Sequence, residues 1–328
     1  MTATIVATGT YIPKRVLSNA DLEKMVETND EWIVTRTGIR ERRIAAEDEH
    51  TSTMGARAAL QALERAGMAP EEIDLILVAT SSPDYLFPST AALIQKEIGA
   101  KNGAAFDFQA ACGGFIYGLS IAKGVVEAGV HKNVLLICSE KLSAFIDYTD
   151  RSTCILFGDG AAAVVVRKGG AGLAIEGVKT SADGEQADLV CIPAGGSRRA
   201  PCAETVSACQ HYIQMEGRET FKHAVRGMAA ACEECLASLQ LDKGAVDWLI
   251  PHQANIRIIE ACAKRLELPM EQVYLTVHKY GNTSASSVPI ALHELLEEHG
   301  VEGGKRILTC AFGAGSVMGA AMLLRVTA

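Results

Sequence analysis

The feature that most limits the folds open to this chain is an order of apolar strands and helices that runs once before Gly169-Gly170 and again after it. In the first run, Ile5–Pro13 reads as a strand stopped by proline, and Leu75–Thr80 and Val134–Glu140 read as buried strands. Phe157-Gly158-Asp159-Gly160 is a glycine turn entering another apolar strand; it lacks the lysine and helix of a phosphate cradle and reads as structural. Helical spacing lies between: Ser18-Asn19-Ala20-Asp21 caps a helix bearing Leu22 and Val26, and a second helix covers about Thr53–Ala66. The second run opens with the strand Leu173–Val178 and a polar, irregular stretch to about Val206. A long helix over roughly Tyr212–Leu239, the strand Trp248–Ile250, helices from Ile256 and from Ser287, and strands over Arg306–Phe312 and Gly319–Val326 follow. Two βα halves of similar order predict a layered α/β fold on parallel or mixed sheets, divided into 1–170 and 171–328, with an active site where the halves meet.

Composition narrows the function classes. The 328 residues are 48% hydrophobic and 21% charged, enough apolar material for a large core in an ordinary globular protein. No apolar run reaches the length needed to cross a bilayer. Ten cysteines in a chain of this length do not form a disulfide framework, and Met1-Thr2-Ala3-Thr4 does not open a secretory leader, so the expected setting is reducing and cytoplasmic. A formal net charge of −8 argues against general binding to nucleic acid or anionic membrane. An acidic partner would have to meet a local basic patch.

The chemistry-bearing stretch is Phe106–Leu119. It reads as a short strand, a tight break, and a helix running to about Ala128 along Phe115, Leu119, Ala122 and Val126, with Cys112 at the turn. Unpaired N–H groups and the positive dipole end of a helix favour thiolate, the nucleophilic form. Gly113 and Gly114 are expected to leave room beside the sulfur for a bulky acyl donor. The plainer reading is a cysteine that simply packs. In the second half, Pro251-His252-Gln253-Ala254-Asn255 follows a strand at its carboxyl end, and Tyr280-Gly281-Asn282-Thr283-Ser284 is a polar loop before a helix. Singly, such a His is a satisfied structural residue and such an Asn a cap. Jointly with Cys112 they point to nucleophilic catalysis assisted by two hydrogen-bonding groups.

Other features have weaker claims. Trp32 beside Arg36 would suit a purine ring and phosphates, but the residues alone favour a partly buried tryptophan. The loop Ser81–Ser89 carries two prolines and two aromatics and is expected to pack against something, a second subunit being one choice. Cys232-Glu233-Glu234-Cys235 has metal-like spacing but lies in an expected helix without a second ligand pair, so no metal is assigned. Cys138, Cys154 and Cys310 read as small core residues.

At these residues the sequence resembles the β-ketoacyl-acyl-carrier-protein synthase III family of thiolase-superfamily condensing enzymes, along its whole length. The most specific pieces are Asn29–Ile39, Ala110-Ala111-Cys112-Gly113-Gly114-Phe115, Pro251–Arg257 and Gly281-Asn282-Thr283-Ser284-Ala285-Ser286. The resemblance implies a duplicated five-layer αβαβα fold, a homodimer and a Cys112, His252, Asn282 triad. It implies acyl transfer from acyl-CoA to Cys112, with acetyl the expected primer, then decarboxylative condensation with malonyl-ACP, and no cofactor. His252 and Asn282 would donate to the enolate, and the backbone amides of Cys112 and Ala314 would form the oxyanion hole. Trp32 and Arg151 would sandwich the adenine of CoA, with Arg36 near its phosphates and Asn255 near the pantetheine arm. Phe87 would reach the acyl pocket of a partner subunit. Arg257, Lys264 and Arg265, on one face of the helix after His252, would receive acyl carrier protein; without the resemblance they read as a solvated face. Gly315-Ser316-Val317-Met318-Gly319 departs from the family's frequent Phe-Thr-Trp, which bears on the pocket rim and primer choice. Three alternatives stand beside this reading: a degradative thiolase, which wants a second catalytic cysteine near the C-terminus; a condensing enzyme of secondary metabolism; and a catalytically silent carrier-protein scaffold.

Overall fold

A computed structural model describes residues 2–327. Nine strands form one continuous sheet: β1 Ala3–Tyr11, β2 Leu75–Ala79, β3 Ala104–Phe108, β4 Asn133–Glu140, β5 Gly160–Lys168, β6 Gly172–Ala182, β7 Trp248–Pro251, β8 Arg306–Gly313 and β9 Val317–Val326. Their order is β7-β8-β9-β6-β1-β5-β4-β2-β3. The repeat expected from sequence is written in the pairing. In the first half β1 meets β5 and β5 meets β4 antiparallel, while β4, β2 and β3 run parallel. In the second, β6 meets β9 and β9 meets β8 antiparallel, β8 and β7 run parallel, and a parallel bridge from Leu249 to Val273 stands where β3 stands in the first. The halves join through only two residue pairs of β1 and β6, Thr4 with Ala174 and Ile5 with Leu173.

Helices complete five layers. Helices α2 (Thr51–Ala66) and α3 (Thr90–Ile98) cover the outer face of the first half-sheet, and α5 (Gly217–Ser238) covers the second, with α6 (Ile256–Leu266) packed on α5; α1 spans Asp30–Thr37. Between the half-sheets lie α4 (Gly114–Glu127) and α7 (Ser287–His299), each touching strands of both. Strands covered on both faces are apolar almost throughout, as in Leu75-Ile76-Leu77-Val78-Ala79, rather than alternating. The central layer is the apolar cluster of Phe115, Ile116 and Leu119 on α4 with Val288 and Leu292 on α7 against Leu77, Leu136, Ile307 and Leu323. No helix among the described residues is long and apolar enough to cross a membrane.

One boundary differs from expectation. The long helix begins at Gly217, not near Tyr212, because Gln214 and Met215 pair with Cys191 and Val190 in a short antiparallel ladder. That ladder takes the backbone hydrogen bonds that a helix would otherwise use.

Candidate active site

Cys112, His252 and Asn282 line one cavity of about 510 Å³. Each is delivered by the end of a regular element. Cys112 lies in a single turn, Ala111–Gly113, between β3 and α4, and Ala111 holds φ 43° to make that turn sharp. This left-handed conformation costs a non-glycine residue free energy and persists where surrounding structure imposes it. Gly313, at the end of β8, presses against the turn: a Cβ there would stand 2.6 Å from the Cys112 amide nitrogen. Only glycine permits that approach, which brings the Ala314 segment to the cavity wall beside Cys112.

Two expectations about this turn need correction. Gly114 does not clear space for a substrate; a Cβ on it would meet Ala79 Cβ at 2.8 Å and Ala285 Cβ at 3.0 Å, so it lets α4 pack into the core. The surroundings of the sulfur also act against the expected thiolate. Burial pushes the Cys112 thiol up to about 12, the nearby Glu140 charge adds to this, and the hydrogen bond from Ser284 only partly opposes it.

His252 follows β7, its amide donating to the Cys310 carbonyl at 2.7 Å. Its Nδ1 lies 2.6 Å from Ser287 Oγ, and the Gln253 amide donates to the same oxygen at 3.3 Å. With one lone pair taken by that amide, the serine proton is free for Nδ1. We assign Nδ1 as the acceptor of that proton, which leaves the ring hydrogen on Nε2. Burial lowers the His252 pKa to about 4, so the ring is neutral at physiological pH.

Asn282 is pinned by a backbone ladder: its amide donates to Leu156 O at 2.8 Å and its carbonyl accepts from Gly158 N at 3.0 Å. Its Oδ1 accepts from the Ser284 amide at 2.8 Å, which assigns the side-chain amide and leaves Nδ2 as a donor. His252 and Asn282 therefore bring two neutral N–H donors to the cavity that holds Cys112.

Asn255 also lines the cavity, its Oδ1 accepting from Arg257 N at 2.9 Å as the N-cap of α6. Trp32 is held on α1, whose N-cap Asn29 accepts from the Trp32 amide at 2.8 Å and whose end is set by Gly38 at φ 77°. The guanidinium carbons of Arg36 and Arg151 lie 4.7 and 4.8 Å from its ring centroid. Neither Trp32 nor these arginines line the cavity of Cys112. Arg257, Lys264 and Arg265 are exposed on α6; Arg257 lies over the ring of Phe221, a cavity-lining residue, at 5.9 Å, and Arg265 pairs with Glu233 at 3.4 Å. Phe87 is 86% exposed, away from its own chain's cavity, next to Leu86 at 83%. Cys310 is fully buried within β8 and does not line the cavity, so it does not stand where the second cysteine of a degradative thiolase would act.

Sequence reasoning did not find Ser287, Ser284 or Glu140. Glu140 carried the one usable signal: a carboxylate closing an otherwise apolar strand.

The chain is similar to known proteins along nearly its whole length. The 3-oxoacyl-(acyl-carrier-protein) synthase III family matches residues 106–184, and its C-terminal counterpart matches residues 236–325. The β-ketoacyl-(acyl-carrier-protein) synthase III of Chlamydia caviae is 55% identical over 325 residues, covering 99% of this chain and 97% of that one. The crystal structure of 3-oxoacyl-(acyl-carrier-protein) synthase III from Aquifex aeolicus superposes with a TM-score of 0.90 at 48% identity, covering 98% of this chain and 99% of that one. The priming β-ketosynthase of the R1128 polyketide pathway superposes with a TM-score of 0.91 at 36% identity, covering 99% and 96%. With more than half of its residues shared with such a relative along nearly its whole length, the chain belongs to the β-ketoacyl-(acyl-carrier-protein) synthase III family.

Proposed function

We propose that this enzyme starts type II fatty acid synthesis in two stages. An acyl group, in our reading acetyl, passes from acyl-CoA to Cys112 and releases CoA. Malonyl-ACP then loses CO₂, and its carbanion attacks the thioester to give 3-oxoacyl-ACP, which is acetoacetyl-ACP from an acetyl primer. The observation that carries this reading is the pair of neutral donors, His252 Nε2 and Asn282 Nδ2, brought to the cavity of Cys112. Departure of CO₂ builds negative charge on the malonyl thioester oxygen, and donors fixed before the reaction stabilise it without reorganising. A neutral imidazole suits that task, and no strong base is required because decarboxylation itself generates the carbanion. The tetrahedral oxyanion on Cys112 falls to the amides of Cys112 and Ala314, which the glycine at 313 allows to come close. Neither stage calls for a metal or cofactor, since the thioesters carry the activation.

The binding roles extend the same reading. Trp32 and Arg151 flank the adenine of CoA, Arg36 meets its phosphates and Asn255 its pantetheine arm. Carrier protein, itself acidic, docks on Arg257, Lys264 and Arg265 in spite of the enzyme's net charge of −8. The enzyme works as a homodimer in the cytoplasm, with Phe87 entering the partner's acyl pocket; the exposed Leu86, Phe87 and Phe106 near the open edge of β3 support such a contact. Residues 1–170 supply the nucleophile and 171–328 the two donors.

Intact-protein mass after mixing with acetyl-CoA, followed by malonyl-ACP, tests the reading. An acetyl adduct absent from Cys112→Ala and discharged as acetoacetyl-ACP is expected. Absence of any adduct across a panel of longer and branched acyl-CoAs overturns it in favour of a silent scaffold.

A further inference from the structure

Against the loop that carries Asn282 lies a charged side chain with no solvent exposure, that of Arg42. Arg42 belongs to the strand Glu41–Ile44, which pairs antiparallel with Arg15–Ser18 and sets Arg42 opposite Leu17. Its Nη1 donates to Leu17 O at 3.1 Å and to Asn19 Oδ1 at 2.9 Å, and its Nη2 donates to Ile155 O at 2.7 Å. All three acceptors are uncharged, and Nε is buried with no hydrogen-bond partner. Burial lowers the pKa of the group to about 10, which still leaves it charged at physiological pH. A buried cation held by neutral oxygens costs stability that an apolar residue of similar volume would not. Its position therefore calls for a reason other than stability.

The guanidinium holds the start of the segment that holds Asn282. Ile155 precedes Leu156-Phe157-Gly158, and Phe157 is bridged in parallel with Asn282 through the two backbone hydrogen bonds of Leu156 O and Gly158 N. The far end of that segment is tied to the chain around Arg42. There Asp159 N donates to Arg43 O at 2.8 Å, and Ala45 N donates to Asp159 Oδ2 at 2.7 Å. The stem of Arg42 closes the remaining side. A Cβ on Gly158 would stand 2.3 Å from Tyr280 O and 3.1 Å from Arg42 Cβ, and one on Gly281 would stand 2.7 Å from Leu156 O and 3.3 Å from Arg42 Cβ. The glycines that flank the Asn282 ladder thus rest on Arg42, and Gly281 takes φ 62° in doing so.

We propose that Arg42 is a positioning residue for Asn282: by tying Ile155 to Leu17 and Asn19, it fixes the ladder that holds Asn282 in the wall of the Cys112 cavity. A guanidinium suits this task because its rigid fork reaches acceptors on separate segments at once, whereas an ammonium is a single point of charge. Placement matters because a donor stabilises developing charge in proportion to how well it is fixed before the reaction, and small displacements are costly in rate. The Cys112 turn is held independently, by Gly313 of β8 and by its continuation into α4. Arg42 therefore bears on decarboxylation and not on acyl loading. The proposal rests on the role of enolate donor given to Asn282 above.

Two half-reactions measured separately test it: acylation of Cys112 by acetyl-CoA, followed by intact-protein mass, and release of CO₂ from malonyl-ACP by enzyme already acetylated. Arg42→Met fills much of the volume but gives up every hydrogen bond. It should slow decarboxylation about tenfold, a part of the roughly 100-fold expected for Asn282→Ala, and leave acylation within about twofold of wild type. Arg42→Lys keeps the charge without the fork and should fall between Arg42→Met and wild type; it carries the same test should Arg42→Met not fold. The decisive reading is the double variant. In the Asn282→Ala background the change at Arg42 should cost less than about twofold, since the side chain through which it acts is gone. Losses that multiply overturn the proposal, because Arg42 then acts apart from Asn282. So does an equal fall in both half-reactions, which marks support of the fold alone. Asn282→Ala that decarboxylates at the wild-type rate is a separate outcome: it overturns the donor role of Asn282 itself, and the positioning role of Arg42 with it.

Discussion

The hydroxyl of Ser287 lies 2.6 Å from Nδ1 of His252, a hydrogen bond between residues 35 apart in sequence that, with the serine as donor, keeps the ring proton on Nε2. Ser287 opens α7 in the central layer, and His252 follows β7, so the packing of a helix on a strand sets the chemistry of an imidazole.

Removing that hydroxyl should slow condensation. Ser287→Ala frees Nδ1 to take the proton, so that Nε2 no longer donates to the developing enolate. The expected loss is about tenfold in the rate of malonyl-ACP decarboxylation, the worth of roughly one hydrogen bond. Acylation of Cys112 by acetyl-CoA should be nearly unchanged, and Ser287→Thr should recover much of the loss. Equal slowing of both half-reactions would mean that the serine merely supports the fold.

Trp32 offers a test of the CoA site that needs no catalysis. The Arg151 guanidinium sits 4.8 Å from the indole centroid, in direct contact. A base inserted between the two needs about 7 Å, twice an ordinary contact distance, so Arg151 must swing aside as adenine enters. Trp32 is one of only two tryptophans, the other being Trp248 in β7, so CoA should change the intrinsic fluorescence of the wild type but not of Trp32→Phe. Trp32→Ala should raise KM for acetyl-CoA by about tenfold, the scale of base stacking on an aromatic ring. An unaltered KM would place the nucleotide elsewhere.

These tests also mark where sequence reading reaches its limit. Burial is a local signal: the spacing of Phe115, Leu119, Ala122 and Val126 and the unbroken apolar runs of β2 and β4 are visible without a structure because each residue answers to the core on its own account. Cys112 and His252 were legible because they sit where strands end, and Asn282 because it stands in a polar, glycine-bearing loop before a helix. Partners were not. Ser82 meets Glu140 across 58 residues and Ser287 meets His252 across 35, and each such serine looks like any other polar loop residue until the sheet brings it there. The influences that act against a thiolate at Cys112 were hidden for the same reason: the helix-start effect is local, whereas burial and the Glu140 charge come from segments distant in sequence.

The basic face of α6 should separate the two substrates. Arg257 is exposed beside the cavity-lining Phe221, so charge reversal there confronts an acidic carrier protein without entering the site of loading. Arg257→Glu should raise KM for malonyl-ACP by about tenfold at low salt, with the difference shrinking as salt screens the contact, and should leave acyl-CoA loading nearly intact. Equal loss of both activities would remove α6 from the docking surface.

Glu140 should leave a signature in stability that is independent of turnover. An isolated glutamate titrates near 4.5, and burial raises Glu140 to about 7 in the folded chain. Between those values the native state binds a proton that the unfolded state has lost, so the contribution of this group to stability is greatest below the lower value and declines as pH rises through the upper. Glutamine carries no such cost. The stability of Glu140→Gln relative to wild type should therefore climb between about pH 4.5 and 7, by up to about 3 kcal/mol, and level off above. His252, whose lowered pKa acts in the opposite direction, is present in both proteins and cancels in the difference. Urea midpoints measured across that window at one protein concentration give the answer. Parallel curves for the two proteins would show that the Glu140 carboxyl is not raised.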